Sequence, residues 1–203
     1  MKHLFCIALG YLSGSVLFSY YLPLWWRGID VTEGTPDGNP GAFNCIHRAG
    51  WPIGLLALAC DVLKGALPVL LSVRALGMDS WALALAVAAP VAGHARPLFR
   101  RFRGGKAIAV SFGAMLGLWP LWQPFGILAA CYLFFTLVVR IQPHRCRSIV
   151  TYLCFGAVSL AYLGACPAGL GCLLTACIVA RRHHRPEPDE EQPTVRLALR
   201  RQE

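Results

Sequence analysis

The fold of this chain is decided by residues 81–119, which read WALALAVAAPVAGHARPLFRRFRGGKAIAVSFGAMLGLW. Two apolar runs flank a polar segment, residues 93–106, that holds one histidine, four arginines, one lysine and two adjacent glycines. Apolar runs that can enter a membrane, joined by a short polar segment, predict the helices of an integral membrane protein. Adjacent glycines leave backbone N–H groups uncrowded, Lys106 adds a positive charge, and His94 titrates near neutral pH. The polar segment is therefore a candidate anion-binding site at a membrane face.

The composition of the whole chain supports this class. Of its 203 residues 56% are hydrophobic and only 14% are charged, against roughly 25% charged in a typical soluble domain. The net charge of +9 does not indicate nucleic acid as a partner, because the basic residues are confined to short loops and the tail. Sixteen of the nineteen lysines and arginines lie near residues 25–50, 92–106 and 140–148 and in the tail from residue 181 onward. This distribution is typical of loops on the cytoplasmic side of a membrane.

The apolar pattern predicts an all-α integral membrane protein with about seven transmembrane helices. An odd number of spans, with the N-terminus outside and the C-terminus cytoplasmic, places every basic loop in the cytoplasm. The first run has no small-residue cleavage site, so a spanning helix is expected there rather than a signal peptide. Sheets are not expected, because the runs are apolar all round rather than alternating. The predicted segments are 4–24, 51–73, 81–91, 107–119, 124–139, 149–165 and 168–180.

Two units are predicted along the chain: a seven-helix membrane domain at residues 1–180 and a polar cytoplasmic tail at residues 181–203. The tail contains an acidic patch, residues 187–191. The nine cysteines are interpreted as small buried apolar residues. A zinc site of Cys146 with His144, His183 and His184 is the alternative, but its spacing fits no standard metal motif. No haem, flavin or nucleotide motif occurs, so neither a cofactor nor a metal is expected.

Two further groups of residues could carry chemistry. The loop 34–44 combines turn-forming glycines and prolines with the amide side chains of Asn39 and Asn44, although it could also be an ordinary connector. Asp61 and Lys64 lie at i and i+3 within an apolar helix, so they share one face and can pair. Charges within a span are costly and should face the protein interior or a polar cavity. A purely structural ion pair, and a basic loop that only contacts lipid headgroups, are the alternatives.

All of these groups can reach the cytoplasmic face of the predicted topology. A turn-rich amide loop, a Gly-Gly-Lys segment and an intramembrane ion pair together predict a single site. Its expected ligand is an anion presented from the cytosol, with an apolar partner in the bilayer.

At these residues the chain resembles the bacterial acyl-phosphate:glycerol-3-phosphate acyltransferases. Residues 38–44, GNPGAFN, are similar to the family's G-S-G-N-x-G-A-T-N loop, and residues 61–65 to its D-x-x-K-G. Residues 93–97 and 102–106 resemble its G-H-x-x-P and F-x-G-G-K. The resemblance covers about residues 10–115. It implies a multi-pass enzyme of the bacterial inner membrane, with its active site facing the cytoplasm, that serves phospholipid synthesis.

The reaction implied by the resemblance moves an acyl group from acyl phosphate to glycerol 3-phosphate and gives lysophosphatidate. His94, Lys106 and Asp61 would be catalytic, with His94 either a base or a positioning group. Membrane lipid and the two phosphate-bearing substrates are the implied partners. The residues implied to bind substrate or phosphate are Asn39, Gly41, Asn44, Arg48, Lys64, Gly104 and Gly105.

The chain departs from the family pattern at several positions. Asp37 stands where the family has serine, which replaces a hydrogen-bond donor with a carboxylate that would repel a phosphate. Pro36, Phe43 and Ala107 replace a glycine, a threonine and a glycine of the pattern. Near the C-terminus, residues 182–187 supply the His and Arg of the family's H-R-x-N-I-x-R-L without its Asn, and a proline follows.

These departures indicate a divergent member or a paralogue. They leave two alternatives open: the same fold acting on another hydroxyl acceptor, or a non-enzymatic lipid-binding membrane subunit. A transporter is disfavoured, because no paired, interrupted repeat halves occur in the sequence.

Overall fold

The computed structural model describes residues 1–35, 37–184 and 192–197, and within these ranges the chain is mainly helical. All seven predicted apolar segments form helices, which confirms the all-α fold class. A 3₁₀ turn, Leu98–Arg100, follows α5, and a π-helical turn, Phe134–Val138, continues α7. The helices are α1 (Lys2–Ser15), α2 (Phe18–Arg27), α3 (Ala42–Ala49), α4 (Trp51–Leu76), α5 (Ala82–Ala95), α6 (Ile108–Leu116), α7 (Gln123–Leu133), α8 (His144–Leu163) and α9 (Pro167–Arg182).

Three helical stretches of the described chain are long and apolar enough to cross a membrane by themselves: α4, α5 with its 3₁₀ turn, and α8. The pair α1 and α2 meets the same criterion when taken together. The stretch Gln123–Val138 is apolar but shorter. These helices confirm an integral membrane protein, whereas seven spans and the sides of the two termini stay predictions.

The first apolar segment differs from its prediction as one continuous helix. The chain leaves helical geometry after Ser15, and α1 and α2 meet at an angle of 44°. Val16, the residue after α1, has extended backbone dihedrals (φ −79°, ψ 109°). The preceding residues 13–15 are Ser-Gly-Ser. Serine and glycine have low helix propensity, so ending the helix here costs little free energy.

A small sheet corrects the expectation that strands are absent. Strands β1 (Val139–Gln142) and β2 (Thr194–Leu197) pair in antiparallel register, with Val139 opposite Leu197. Both strands alternate apolar and polar residues, unlike the runs that are apolar all round, and this alternation suits a strand. The sheet joins part of the predicted tail to the end of the α7 region. The acidic patch 187–191, Pro36 and residues 185–187 of the C-terminal motif lie outside the described residues.

Close helix packing brings the candidate site together. A Cβ atom at Gly14 of α1 would lie 2.0 Å from the Pro90 carbonyl oxygen of α5. A Cβ atom at Gly113 of α6 would lie 1.9 Å from the Val62 carbonyl oxygen of α4. Small residues of this kind let membrane helices approach backbone to backbone. As a result, the middle of α4, the end of α5 and the start of α6 meet beside the break between α1 and α2.

Candidate anion-binding site

The two charged residues of α4 form a buried ion pair. Lys64 Nζ lies 2.7 Å from Asp61 Oδ1, and the two residues are only 5% and 1% exposed. Asp61 also accepts a hydrogen bond from the Ser19 hydroxyl of α2 at 2.5 Å. An i, i+3 spacing predicted this pair from the sequence, and the surrounding helices keep it out of the lipid.

The Lys64 ammonium has two further partners. It donates to the Val16 carbonyl at 2.5 Å and to His94 Nδ1 at 2.9 Å. The break between α1 and α2 exposes that carbonyl, since Val16 ends the hydrogen-bond ladder of α1. An ammonium group has three donors, and all three are directed at Asp61, Val16 and His94. In the structure Lys64 therefore holds His94, and its predicted contact with a substrate phosphate stays a prediction.

The contact with Lys64 fixes the state of the His94 ring. Because an ammonium only donates, Nδ1 must be the acceptor, and a neutral ring then carries its proton on Nε2. His94 is 3% exposed, and Nε2 faces the backbone of Gly105, where an added Cβ would come within 2.3 Å of it. The geometry therefore favours His94 as a positioning group beneath the Gly-Gly-Lys segment rather than as a base.

The backbone of the Gly-Gly-Lys segment is held by hydrogen bonds to α5 and to α9. The Gly105 N–H donates to the His94 carbonyl at 3.1 Å. From the end of α9, the Arg182 guanidinium donates to the carbonyl oxygens of Gly104 at 2.5 Å and Gly105 at 3.1 Å. A Cβ at Gly104 would lie 2.2 Å from the His94 carbonyl, so only glycine fits there. The Gly105 amide thus bonds within the protein, and its predicted contact with a phosphate stays a prediction.

Asp37 brings the loop 34–44 against this segment. Its Oδ2 lies 2.8 Å from Lys106 Nζ, and its Oδ1 accepts from the Asn44 side-chain amide at 2.9 Å and from the Asn39 N–H at 3.1 Å. Asn44 also donates to the Asn39 carbonyl at 2.9 Å. The Lys106 and Asp37 side chains are 23% and 17% exposed, so solutes from the aqueous phase can reach the pair.

The charge state of Asp37 follows from its surroundings. Burial raises the pKa of its carboxyl, but the hydrogen bonds from Lys106 and Asn44 outweigh burial, and the pKa lies below its usual value. Asp37 is therefore an anion at neutral pH and keeps its bond to Lys106.

The other residues predicted to bind substrate take different places. Gly41 precedes α3, and its N–H donates to the Asn39 carbonyl at 2.9 Å. Arg48 is exposed on α3 with its guanidinium close to Gly34. Phe43 is exposed and its ring packs on His47.

Ala107 adopts the left-handed region, with φ of 62°. This conformation costs an alanine roughly 1–2 kcal/mol and a glycine almost nothing. The backbone thus gives the physical reason for the glycine that the family pattern has at this position.

Sequence reasoning missed several residues that shape the site. Arg182 lies 77 positions from Gly105, and its only sequence signal was its place in the C-terminal motif. His144, at the start of α8, lies within electrostatic reach of Lys106 and Asp37, and its ring centroid is 6.1 Å from that of His183. The sequence pointed to His144 only through the zinc alternative, and to His183 through that alternative and the C-terminal motif. Among the described residues no group of three or more His, Cys, Asp or Glu could hold a metal ion.

The fold defines a helical integral membrane protein, and its candidate anion-binding site lies where the Gly-Gly-Lys segment packs on His94 and the buried Asp61–Lys64 pair. The model of the glycerol-3-phosphate acyltransferase family matches residues 4–187, so the chain belongs to this family of membrane acyltransferases. The resemblance drawn from the motifs is thereby confirmed.

Relatives and solved structures agree with this assignment. The glycerol-3-phosphate acyltransferase of Myxococcus xanthus is 35% identical over 176 residues, covering 86% of this chain and 80% of the relative. Glycerol-3-phosphate acyltransferase 2 of Thermotoga maritima is 42% identical over 113 residues; that alignment covers 55% of this chain and only 57% of the relative's length. The crystal structure of PlsY (YgiH), an integral membrane glycerol 3-phosphate acyltransferase, in its glycerol 3-phosphate form has a TM-score of 0.77 and 27% identity, covering 90% of this chain and 88% of that one.

Proposed function

We propose that this chain transfers an acyl group from an acyl phosphate to glycerol 3-phosphate and releases lysophosphatidate, at the cytoplasmic face of a bacterial inner membrane. The observation that carries the proposal is the oxyanion site at Lys106, where a lysine, a side-chain amide and a backbone N–H converge on one carboxylate. Donors that hold a carboxylate in this way suit a phosphate as well. The PlsY structure compared above is its glycerol 3-phosphate form, and a second PlsY crystal structure, with a TM-score of 0.75 and 27% identity, is its lysophosphatidic acid form.

The proposed reaction needs charge stabilisation more than a covalent intermediate. The acceptor hydroxyl oxygen attacks the acyl carbon, the bond from that carbon to the phosphate oxygen breaks, and the released phosphate takes up the hydroxyl proton. Lys106 would offset the negative charge that collects on the phosphate as it leaves. His94 and Lys64 act beneath it by keeping the Gly-Gly-Lys backbone in place.

A cleft beside the site offers room for the acyl chain. It has a volume of about 1160 Å³ and lies between α1, α5, α8 and α9. Its walls include the apolar residues Ala92, Phe102, Ile149 and Ile178. Arg182 lines the cleft and donates to the Gly104 and Gly105 carbonyls, so an acyl chain in the cleft would lie beside the residue that holds the Gly-Gly-Lys segment.

The test is transfer from palmitoyl phosphate to radiolabelled glycerol 3-phosphate by the purified protein in detergent. Lysophosphatidate that depends on both substrates supports the proposal. If a folded, monodisperse preparation yields no product, the proposed acceptor is wrong.

A panel of other hydroxyl compounds then tests the second candidate function, acyl transfer to an acceptor other than glycerol 3-phosphate. That candidate is favoured by Asp37, whose carboxylate already occupies Lys106.

Replacement of Arg182 by alanine is expected to lower the transfer rate about a hundredfold, because small misplacements of a catalytic loop cost this much. Without the guanidinium, the Gly104 and Gly105 carbonyls lose their donors and the peptide planes beside Lys106 can turn. Arg182→Lys keeps the charge but lacks the forked donor geometry, so we expect it to restore little. The measurement is kcat with palmitoyl phosphate for each variant, together with its thermal midpoint.

Arg74→Ala is the matched control, since it removes the same charge from an exposed residue at the end of α4, away from the cleft. It should leave kcat within about twofold, as surface substitutions usually do. Equal kcat for the Arg74 and Arg182 variants would contradict a positioning role for Arg182. A thermal midpoint that collapses only in Arg182→Ala would assign its effect to stability.

A further inference from the structure

The carboxylate of Asp37 stands where a substrate anion would be held. It is bound by the Lys106 ammonium, the Asn44 amide and the Asn39 N–H at 2.8, 2.9 and 3.1 Å. One cation and two neutral donors on a single oxyanion form the kind of site that binds phosphate oxygens. The Asp37 carboxylate, which belongs to the chain's own loop, therefore occupies the donors of the candidate anion-binding site.

The loop holds this carboxylate firmly in place. The bond from the Asn39 N–H to Asp37 Oδ1 spans two residues, as in an Asx turn. Gly38 between them has a φ of 53°, a left-handed value that glycine adopts without strain. Asn44 ties the start of α3 to the same carboxylate. Asp37 therefore does not reach Lys106 by the chance extension of a flexible side chain.

Two anions cannot share these donors without repulsion. A phosphate that binds at Lys106 must either displace the Asp37 carboxylate or lie beside a full negative charge at close range. A serine at this position, as in the family pattern, would instead offer a hydroxyl donor. With the same loop geometry, a serine at position 37 would strengthen phosphate binding, whereas the aspartate weakens it.

We infer that Asp37 is a built-in competitor for the phosphate site, which makes this chain bind phosphate-bearing substrates weakly and only by displacement of its own carboxylate. The inference rests on the proposed function for the identity of those substrates. Asp37 in this view is a specificity-determining residue: it raises the KM for acceptors or donors that carry a phosphate and leaves the chemical step unaffected.

The experiment measures binding and turnover separately on the full chain in detergent. Inorganic phosphate is the probe for binding, and its apparent Kd is obtained from the rise of the thermal midpoint with concentration at constant ionic strength. The variants are Asp37→Ser, Asp37→Asn, which keeps the shape of the side chain, and Glu33→Ser. Glu33 is an exposed carboxylate of the same loop, so its replacement controls for the general loss of a negative charge.

Removal of the Asp37 charge is expected to lower the phosphate Kd about tenfold in both Asp37 variants, the effect of one modest ion pair. Glu33→Ser should stay within about twofold of the native chain. In the transfer assay the KM for glycerol 3-phosphate should fall by a similar factor in Asp37→Ser, with kcat unchanged. This is the result expected when a substitution strengthens the binding of substrate and transition state equally. Asp37→Asn also serves as the test if the serine variant fails to fold.

An unchanged or weaker phosphate affinity in both Asp37 variants would overturn the inference. So would an equal gain in Glu33→Ser, because it would assign the effect to overall charge. Failure of the proposed function looks different. In that case phosphate binds more tightly to the Asp37 variants, yet none of the proteins transfers an acyl group to glycerol 3-phosphate.

Discussion

Lys106→Ala is expected to lower acyl transfer by at least about a thousandfold, the upper range for removal of one preorganised charge that stabilises the transition state. The substitution removes the cation that would face the leaving phosphate and leaves the Asp37 carboxylate without its ion-pair partner. Both effects increase the negative charge at the reacting centre. The measurement is lysophosphatidate formed from palmitoyl phosphate and glycerol 3-phosphate, beside the native chain.

Two controls separate these effects. Arg103→Ala removes an exposed basic residue three positions earlier and should keep nearly native activity. The double variant Lys106→Ala with Asp37→Ala removes the unpaired carboxylate as well, so any activity that it regains measures the repulsion by Asp37. Full activity in Lys106→Ala itself would remove the Gly-Gly-Lys segment from the mechanism.

Asp61→Ala is expected to destabilise the protein by about 3–5 kcal/mol, the usual cost of an ion left unpaired in a protein interior. Lys64 would keep the Val16 carbonyl and His94 Nδ1 as partners but lose its only described counter-charge, at 5% exposure. The measurement is thermal or denaturant unfolding in detergent. Activity should fall with stability, because a Lys64 ammonium without its carboxylate is held less firmly and so orients the His94 ring less well.

The matched control is Asp79→Ala, which removes an exposed carboxylate and should change stability by no more than about 0.5 kcal/mol. The double variant Asp61→Leu with Lys64→Leu should cost less than Asp61→Ala alone, since it leaves no buried charge unpaired. If Asp61→Ala is as stable as the Asp79 variant, the ion pair has no part in holding the site together.

Much of the fold could be predicted because the membrane imposes a simple pattern. Long apolar runs must be helical in hydrocarbon, and each of the seven runs contains a helix in the structure. The Asp61–Lys64 pair followed from helical spacing alone, since i and i+3 share a face. The three distant groups lie close together through the contacts of Lys64 with His94 and of Lys106 with Asp37, whereas their action as one binding site stays a prediction.

The features that sequence reasoning missed depend on backbone direction and tertiary approach. The break after Ser15 lies inside one long, mainly apolar run, and the low helix propensity of Ser-Gly-Ser at residues 13–15 was the only local signal for it. The role of the Gly105 amide depended on the orientation of its peptide plane, which the His94 carbonyl and Arg182 determine. Arg182 itself reaches the loop only because the C-terminal end of α9 lies next to that of α5. No local pattern encodes such a contact.

The break between α1 and α2 has a consequence for the order in which the protein is assembled in the bilayer. The Val16 carbonyl belongs to the first apolar run, whereas the ammonium that satisfies it, Lys64, belongs to the second. During synthesis the first run emerges without that partner, and a backbone carbonyl left unsatisfied in hydrocarbon costs several kcal/mol. A bend at Val16 in the first run alone would leave that carbonyl without a partner. We therefore expect the bend to become stable only once the second run supplies Lys64.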